Sequence, residues 1–461
     1  MQQNNTQALG REPVGRLLRK LAMPAIAAQI INLLYNLVDR MYIGHIHEVG
    51  KLALTGVGVC LPLIMLISAF AALAGMGAAP RASIFLGQGN QEEAEKTLGN
   101  AVTLLFLLSV ILTAVFILFA RPMLLSFGAS ENTIDYAMQY MRIYAAGTIF
   151  VQMTLGLNAF ITCQGFSKIS MLTVLIGAVC NIILDPILIF GFHMGVRGAA
   201  LATILSQALS MIWILRFLTG KKTTLRIKKA NLRLKKKIVL PSVALGMAPF
   251  IMQSTESLIA VCFNASLLRY GGDLAVGAMT ILTSVNQFAM LPLMGLTQGA
   301  QPIISYNYGA KDEKRVKQSF KLLLLCCVIY SMVLWASAML FPGVFVKIFN
   351  NDPALVRFAS HAMRIYLAAC GVFGVQIACQ QTFIALGNAK SSLFLALLRK
   401  IILLIPLIYL MPVLMPANKT TAVFAAEPVA DLLAVATTAT LFFFQFRAAM
   451  RRMETETSEM K

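Results

Sequence analysis

Long apolar runs separated by short polar stretches fill this chain of 461 residues. A membrane-spanning helix needs about 20 mainly apolar residues. That window finds runs near 17–43, 52–78, 97–120, 133–161, 169–190 and 196–218, and a second set near 238–268, 274–303, 316–341, 355–385, 391–415 and 420–446. The pattern predicts an all-α membrane protein of twelve transmembrane helices. It divides into an N-terminal six-helix lobe over residues 1–220, a basic linker over 221–237 and a C-terminal six-helix lobe with a tail over 238–461.

The two sets repeat each other at an offset of about 220 residues. Met141-Arg142-Ile143-Tyr144 recurs as Met363-Arg364-Ile365-Tyr366, and Gly165 with Lys168 recurs as Gly387 with Lys390. Gly89 and the charged residues after it are matched to Gly309 and its charged followers. An even number of helices per half makes this a parallel repeat. The two bundles are then related by a pseudo-two-fold axis along the membrane normal, with a cavity between them.

Charge sets the orientation. The linker carries Lys221, Lys222, Arg226, Lys228, Lys229, Arg233 and Lys235 among others, which by the positive-inside rule makes it cytoplasmic. Alternation then puts both termini inside, in agreement with Arg11, Arg16 and Arg19 at one end and Arg447, Arg451 and Arg452 at the other. A net charge of +20 would otherwise raise nucleic-acid binding, but with 58% hydrophobic and only 13% charged residues the basic side chains serve orientation instead. The first apolar run lacks a small-residue cleavage site, so it is expected to stay as an anchor in the cell membrane. The eight cysteines fall in or beside apolar runs, none in a CxxC, and read as packing residues. No nucleotide-binding GxxxxGK[ST], zinc-binding HExxH or GxSxG elbow occurs, and the four histidines are dispersed. The expectation is a protein that is not an enzyme and uses no cofactor and no metal.

The chemistry lies in acids inside the apolar runs. A carboxylate at mid-membrane costs about 2.5–3.5 kcal/mol on insertion scales, so it normally faces a cavity or an ion. Asp39 ends the first span and Asp185 lies near the outer end of the fifth. Asn181 is one turn from Asp185 on the same face, and Thr203 lies at similar depth in the sixth. These four oxygen-bearing side chains can hold a proton or coordinate a hard cation such as sodium. The alternative is a surface pair of Asp39 with Arg40, with Asn181 and Thr203 bonded to helix backbones. In the second half Glu256, Glu427 and Asp431 either line a cavity that attracts cationic molecules or pair locally with Arg399 or Lys400. Arg399 and Lys400 themselves lie within reach of the headgroups and are expected to snorkel. Pro24 interrupts the first span and Pro186 follows Asp185, which makes both candidate hinges.

Tyr35-Asn36-Leu37-Val38-Asp39, Asn181-Ile182-Ile183-Leu184-Asp185-Pro186, Gly198 to Thr203 and Glu427-Pro428 together resemble the multidrug and toxic compound extrusion (MATE) transporters. The likeness is to the bacterial branch with DinF-like and MepA-like proteins and runs over roughly residues 15–450. It implies a secondary antiporter that exports lipophilic, often cationic drugs in exchange for protons or sodium, as a monomer in the bilayer. It also implies a cation site at Asp39, Asn181, Asp185 and Thr203, with Asn158 nearby, and a substrate cavity reached by Tyr35, Asn36, Asn158 and Gln380 besides the acids Glu256, Glu427 and Asp431. Glu256 matches a seventh-span glutamate that some relatives use for a cation. Their tenth-span acid is absent here, where Gln376, Gln380 and Gln381 stand. Rival readings are a lipid-linked sugar flippase of the same superfamily, expected to have a more basic cavity, and, from another class, an intramembrane enzyme or a receptor.

Overall fold

A computed structural model describes residues 3–47 and 49–459. Among them the chain is helical with no strand, as expected where no water is present to satisfy open backbone groups. The helices are α1 (Gln3–Arg11), α2 (Val14–Gly44), α3 (Gly50–Gly87), α4 (Gln91–Ser126), α5 (Ile134–Ala146), α6 (Thr148–Cys163), α7 (Ser167–Pro186) and α8 (Val196–Thr219). They continue as α9 (Lys236–Gly309), α10 (Glu313–Leu340), α11 (Pro342–Lys347), α12 (Pro353–Tyr366), α13 (Cys370–Ala385), α14 (Ala389–Leu397), α15 (Ile405–Leu414) and α16 (Lys419–Glu459).

Among the described residues nine helices are long and apolar enough to cross a membrane, or eleven when two bent pairs each count as one span. The bent pairs are α5 with α6, at 58°, and α12 with α13, at 48°. The expected seventh and eighth spans are one run of helix, α9, whose 74 residues include Gly272 at φ 64 and ψ −161, where two helices meet. Only glycine takes up that backbone conformation at low cost. Two further departures from regular helix are the wide π turns over Ile187–Gly191, after Pro186, and over Leu398–Leu404, between α14 and α15.

The repeat is visible in hydrogen bonds. Asn90 caps α4 by accepting from the Glu93 amide at 3.1 Å, and Asp312 caps α10 by accepting from the Arg315 amide at 3.0 Å. Each cap follows a left-handed residue, Gly89 in the first half and Lys311 in the second. The equivalent of Gly89 is therefore Lys311, and Gly309 answers to Gly87, a correction of two positions. Gly165 and Gly387 both take positive φ, as their repeat position demands. The Asn158 amide donates to the Ser170 carbonyl at 3.4 Å, and at the same offset the Gln380 amide donates to the Ser392 carbonyl at 3.2 Å.

Buried apolar clusters hold the helices together. One gathers Phe116, Tyr140, Met141 and Ile204, another Phe263, Leu282, Met363 and Phe424. A third joins Leu9, Leu17 and Leu21 to Ile303 and Leu323, so α1 and the start of α2 pack on α9 and α10. Glycines let α3 and α9 approach more closely than side chains would allow. A β-carbon on Gly246 would lie 1.9 Å from the Leu73 carbonyl oxygen, and one on Gly309 would lie 2.0 Å from that of Ile84. Small residues at such crossings are how membrane helices gain contact.

Candidate functional site

Asp39 and Asp185 meet. Their carboxyls lie within hydrogen-bonding reach of each other, one from α2 and one from α7. Asp185 is fully buried and Asp39 nearly so. The Asn181 amide, one turn before Asp185, donates to its Oδ1 at 3.3 Å. That leaves Asp39 Oδ1, Asp185 Oδ2 and Asn181 Oδ1 buried with no hydrogen-bond partner. Native proteins rarely leave buried acceptors unsatisfied, and an unpaired buried polar group is costly. Oxygens of this kind, on two carboxyls and an amide, are acceptors that a proton or a small hard cation satisfies.

Tyrosines surround the pair. Tyr35 lies one turn before Asp39 and within electrostatic reach of both acids. Tyr140, from α5, lies within reach of Asp39 and within hydrogen-bonding reach of Thr203, and its ring stacks on Tyr144 at 5.9 Å. The Thr203 hydroxyl donates to the Ala199 carbonyl at 3.0 Å, which leaves its lone pairs to accept. Tyr140 and Tyr144 were not singled out from sequence as site residues. The repeated Met-Arg-Ile-Tyr motif marked Tyr144, and its counterpart Tyr366 lies in electrostatic reach of Glu427, Glu256 and Asp431.

Other expected residues are arranged differently. Arg40 makes no ion pair with Asp39 among the described residues, and its side chain is exposed. Asn36 is exposed and donates to the Asn32 carbonyl at 2.6 Å. Asn158 is not beside the acid pair, because it is bonded to Ser170 near the start of α7, about 22 Å along that helix from Asp185 at 1.5 Å per residue. Its bond is the one Gln380 repeats, so both amides tie adjacent helices in the same way. Gln380 is buried, accepts from Gln376 at 3.1 Å and also touches Met252.

In the second half the acids are paired. Arg399 Nε donates to Asp431 Oδ1 at 2.7 Å and its Nη2 to Glu427 Oε1 at 3.0 Å, while its guanidinium lies over the Phe373 ring at 4.4 Å. Lys400 Nζ donates to Glu256 Oε1 at 2.5 Å. Both basic residues sit in the π turn over Leu398–Leu404 and are nearly buried, which overturns the expectation that they snorkel. A wide turn rotates successive side chains relative to regular helix, and here it aims the two neighbours at different partners. Of the three acids only Glu256 is open, with 53% of its side chain exposed against 9% for Glu427 and 10% for Asp431.

The MatE family profile matches residues 24–187 and 249–410, two segments that together contain Asp39, Asp185, Glu256, Arg399 and Lys400 but not Glu427 or Asp431. The multidrug export protein MepA of Staphylococcus haemolyticus is 24% identical over 393 residues, 85% of each chain. An FAD transporter of Shewanella oneidensis is 25% identical over 404 residues, 86% of this chain and 87% of its own. Among solved structures, the MATE multidrug transporter DinF-BH is 34% identical and superposes with a TM-score of 0.87 over 94% of this chain and 96% of its own.

Proposed function

Because this chain belongs to the MatE family of multidrug efflux transporters, we propose that it is a secondary antiporter that exports lipophilic, often cationic compounds against protons or sodium. The chain is a transporter rather than an enzyme. The observation that carries the proposal is the contact of Asp39 with Asp185, each keeping an unpartnered buried oxygen, as does Asn181. Two carboxylates in contact repel, the more so in a low dielectric, and a shared proton or cation removes that repulsion. Binding of the ion would therefore draw α2 and α7 together, and its loss would drive them apart. Pro24 within α2 and Pro186 before the π turn are the hinges we assign to that movement.

We read α9 as two spans meeting at Gly272, which with the bent pairs restores twelve, in two six-helix lobes joined by residues 221–237. Apolar clusters confined to one half support that division. On the proposed orientation, with both termini and the linker in the cytoplasm, the close crossing of α3 and α9 at Gly309 lies at the cytoplasmic end and that at Gly246 lies about 15 Å further into the membrane. The described conformation is then closed inward, with the coupling site on the outer half. Cargo would enter after those crossings part and leave when they close again. Each ligand acts by binding one of the two conformations better. The transporter is proposed to work as a monomer.

The half-exposed Glu256 is the acid proposed to meet cationic cargo at the second half, with Tyr35 and Asn36 on the first. Glu427 and Asp431 are proposed to act through Arg399, which they hold. The flippase reading loses its support, since Arg399 and Lys400 are neutralised by three acids and offer no free basic surface. The test is drug transport in proteoliposomes under separately imposed pH and sodium gradients. Uptake driven by one of the two gradients is expected, and transport that ignores both would overturn antiport.

A further inference from the structure

A cavity that none of the acids of the two clusters lines opens between α10, α13 and α16 with a volume of about 490 Å³. Its floor is aromatic. Phe320 packs on Phe442 at 4.5 Å and on Phe446 at 5.1 Å, and Phe442 stacks on Phe446 at 4.8 Å. Its side wall is Leu324, Val375, Ala439 and the exposed Phe443. The rim changes character abruptly where the apolar stretch of α16 ends, with Arg447 and Arg451 one helical turn apart on one face. Two acids share the rim, Glu313 engaged by Lys317 and in contact with Glu454, so that with Lys317, Arg447 and Arg451 the rim keeps a net positive charge. Arg447 and Arg451 make no ion pair among the described residues and are exposed.

A groove that is apolar along its length and carries two uncommitted guanidiniums at one end has the amphipathic form of a phospholipid. The arginines stand at the boundary of the apolar span, the depth at which headgroup phosphates lie, and a guanidinium suits a phosphate in shape and charge. Basic pockets between spanning helices bind anionic headgroups for this reason. The net positive rim disfavours the cationic cargo proposed to meet Glu256, so cargo is a poor occupant. We infer that this cavity holds one anionic phospholipid, its phosphate between Arg447 and Arg451 and one acyl chain lying along Ala439 and Phe443 against the aromatic floor. The lipid would fasten α16 to α10 and α13, and the inference stands whichever ion drives transport and whichever way the chain is oriented.

The test reconstitutes the full chain in bilayers of equal phosphatidylglycerol and phosphatidylcholine, then weighs the intact complexes by native mass spectrometry. One phosphatidylglycerol per protein is expected to survive extraction, and the double substitution Arg447→Gln/Arg451→Gln should weaken its retention roughly thirtyfold, the attraction of two basic residues for anionic lipid. Ala439→Phe, which fills the groove and leaves the arginines intact, should release it too. If one variant fails to fold, the other variant and the preference of the unaltered protein decide the matter. Equal retention of the two lipids would mean annular lipid only and would overturn the inference. So would full retention in either variant, or displacement of the lipid by millimolar inorganic phosphate, which would make this a phosphate site.

Discussion

At the scale of single residues, the proposed coupling rests on oxygen atoms that have no donor. Asp185→Asn keeps the shape of the side chain and removes both the charge and the proton site. Ethidium efflux from cells should fall to background in that variant, with membrane levels of the protein unchanged. Efflux at the unaltered rate would remove Asp185 from the mechanism. Arg399 poses the opposite problem, a cation that holds two acids. Taking away one partner of a buried ion pair typically costs about 3–5 kcal/mol, because the charges left behind have no partner. Arg399→Ala should therefore lower the thermal denaturation midpoint of the purified protein clearly. The triple substitution Arg399→Met/Glu427→Gln/Asp431→Asn should recover most of the loss, and an unchanged midpoint in Arg399→Ala would show the cluster to be unimportant for stability. The acids themselves were legible in the sequence, since a carboxylate inside an apolar run needs an explanation. Their partners were not. Which of two readings held for Glu427 depended on a π turn that rotates Arg399 inward, and apolar periodicity carries no trace of it. Tyr140 was missed for a plainer reason, because an aromatic in an apolar run looks like any packing residue until its neighbours are known.

At the scale of elements, the apolar runs located the helices but not always their ends, since α3 runs nine residues past its run and α16 thirteen. The first run at 17–43 lies within α2, and the sixth at 196–218 lies within α8. Transfer of some 20 apolar residues out of water dominates every local preference, so the signal was strong. Breaks within a span carry no such signal. The 58° bend between α5 and α6 falls between Ala146 and Thr148, in a stretch that reads as one continuous run, and α1 is too polar and short to register at all. Close crossings were equally invisible, because a glycine in an oily helix signals small size and not its neighbour. They can still be tested. Gly246→Leu forces a branched side chain against the Leu73 backbone, and overpacking of this kind costs about 1–3 kcal/mol. Fluorescence quenching by a probe attached near this crossing should report the helices parted, with efflux reduced. Normal efflux with unaltered quenching would show that the crossing tolerates separation.

At the scale of the whole molecule, α1 ties sequence-distant parts together. The Thr6 hydroxyl donates to the Gln164 carbonyl at 3.2 Å and meets the Thr224 hydroxyl at 2.9 Å. On its other side the carbonyls of Leu9 and Glu12 accept from Arg315 at 2.9 and 2.8 Å, and Leu9 also accepts from Asn307 at 2.9 Å. A segment bonded to both halves at one face opposes their separation there. Arg315→Ala removes two of these bonds, so amide exchange in residues 6–12 should quicken and the proposed closed-inward conformation should lose population. Exchange unchanged in that variant would mean that the apolar contacts of Leu9 alone hold the segment. All of this motion has a purpose only if an ion at the paired acids drives it. The most direct measurement imposes a gradient of ethidium across proteoliposomes with no ion gradient and follows internal pH and sodium. Cargo movement should push one of those ions in the opposite direction, and Asp39→Asn or Asp185→Asn should each abolish that ion flux. Ion flux that persists in both variants would contradict the assignment of coupling to this pair.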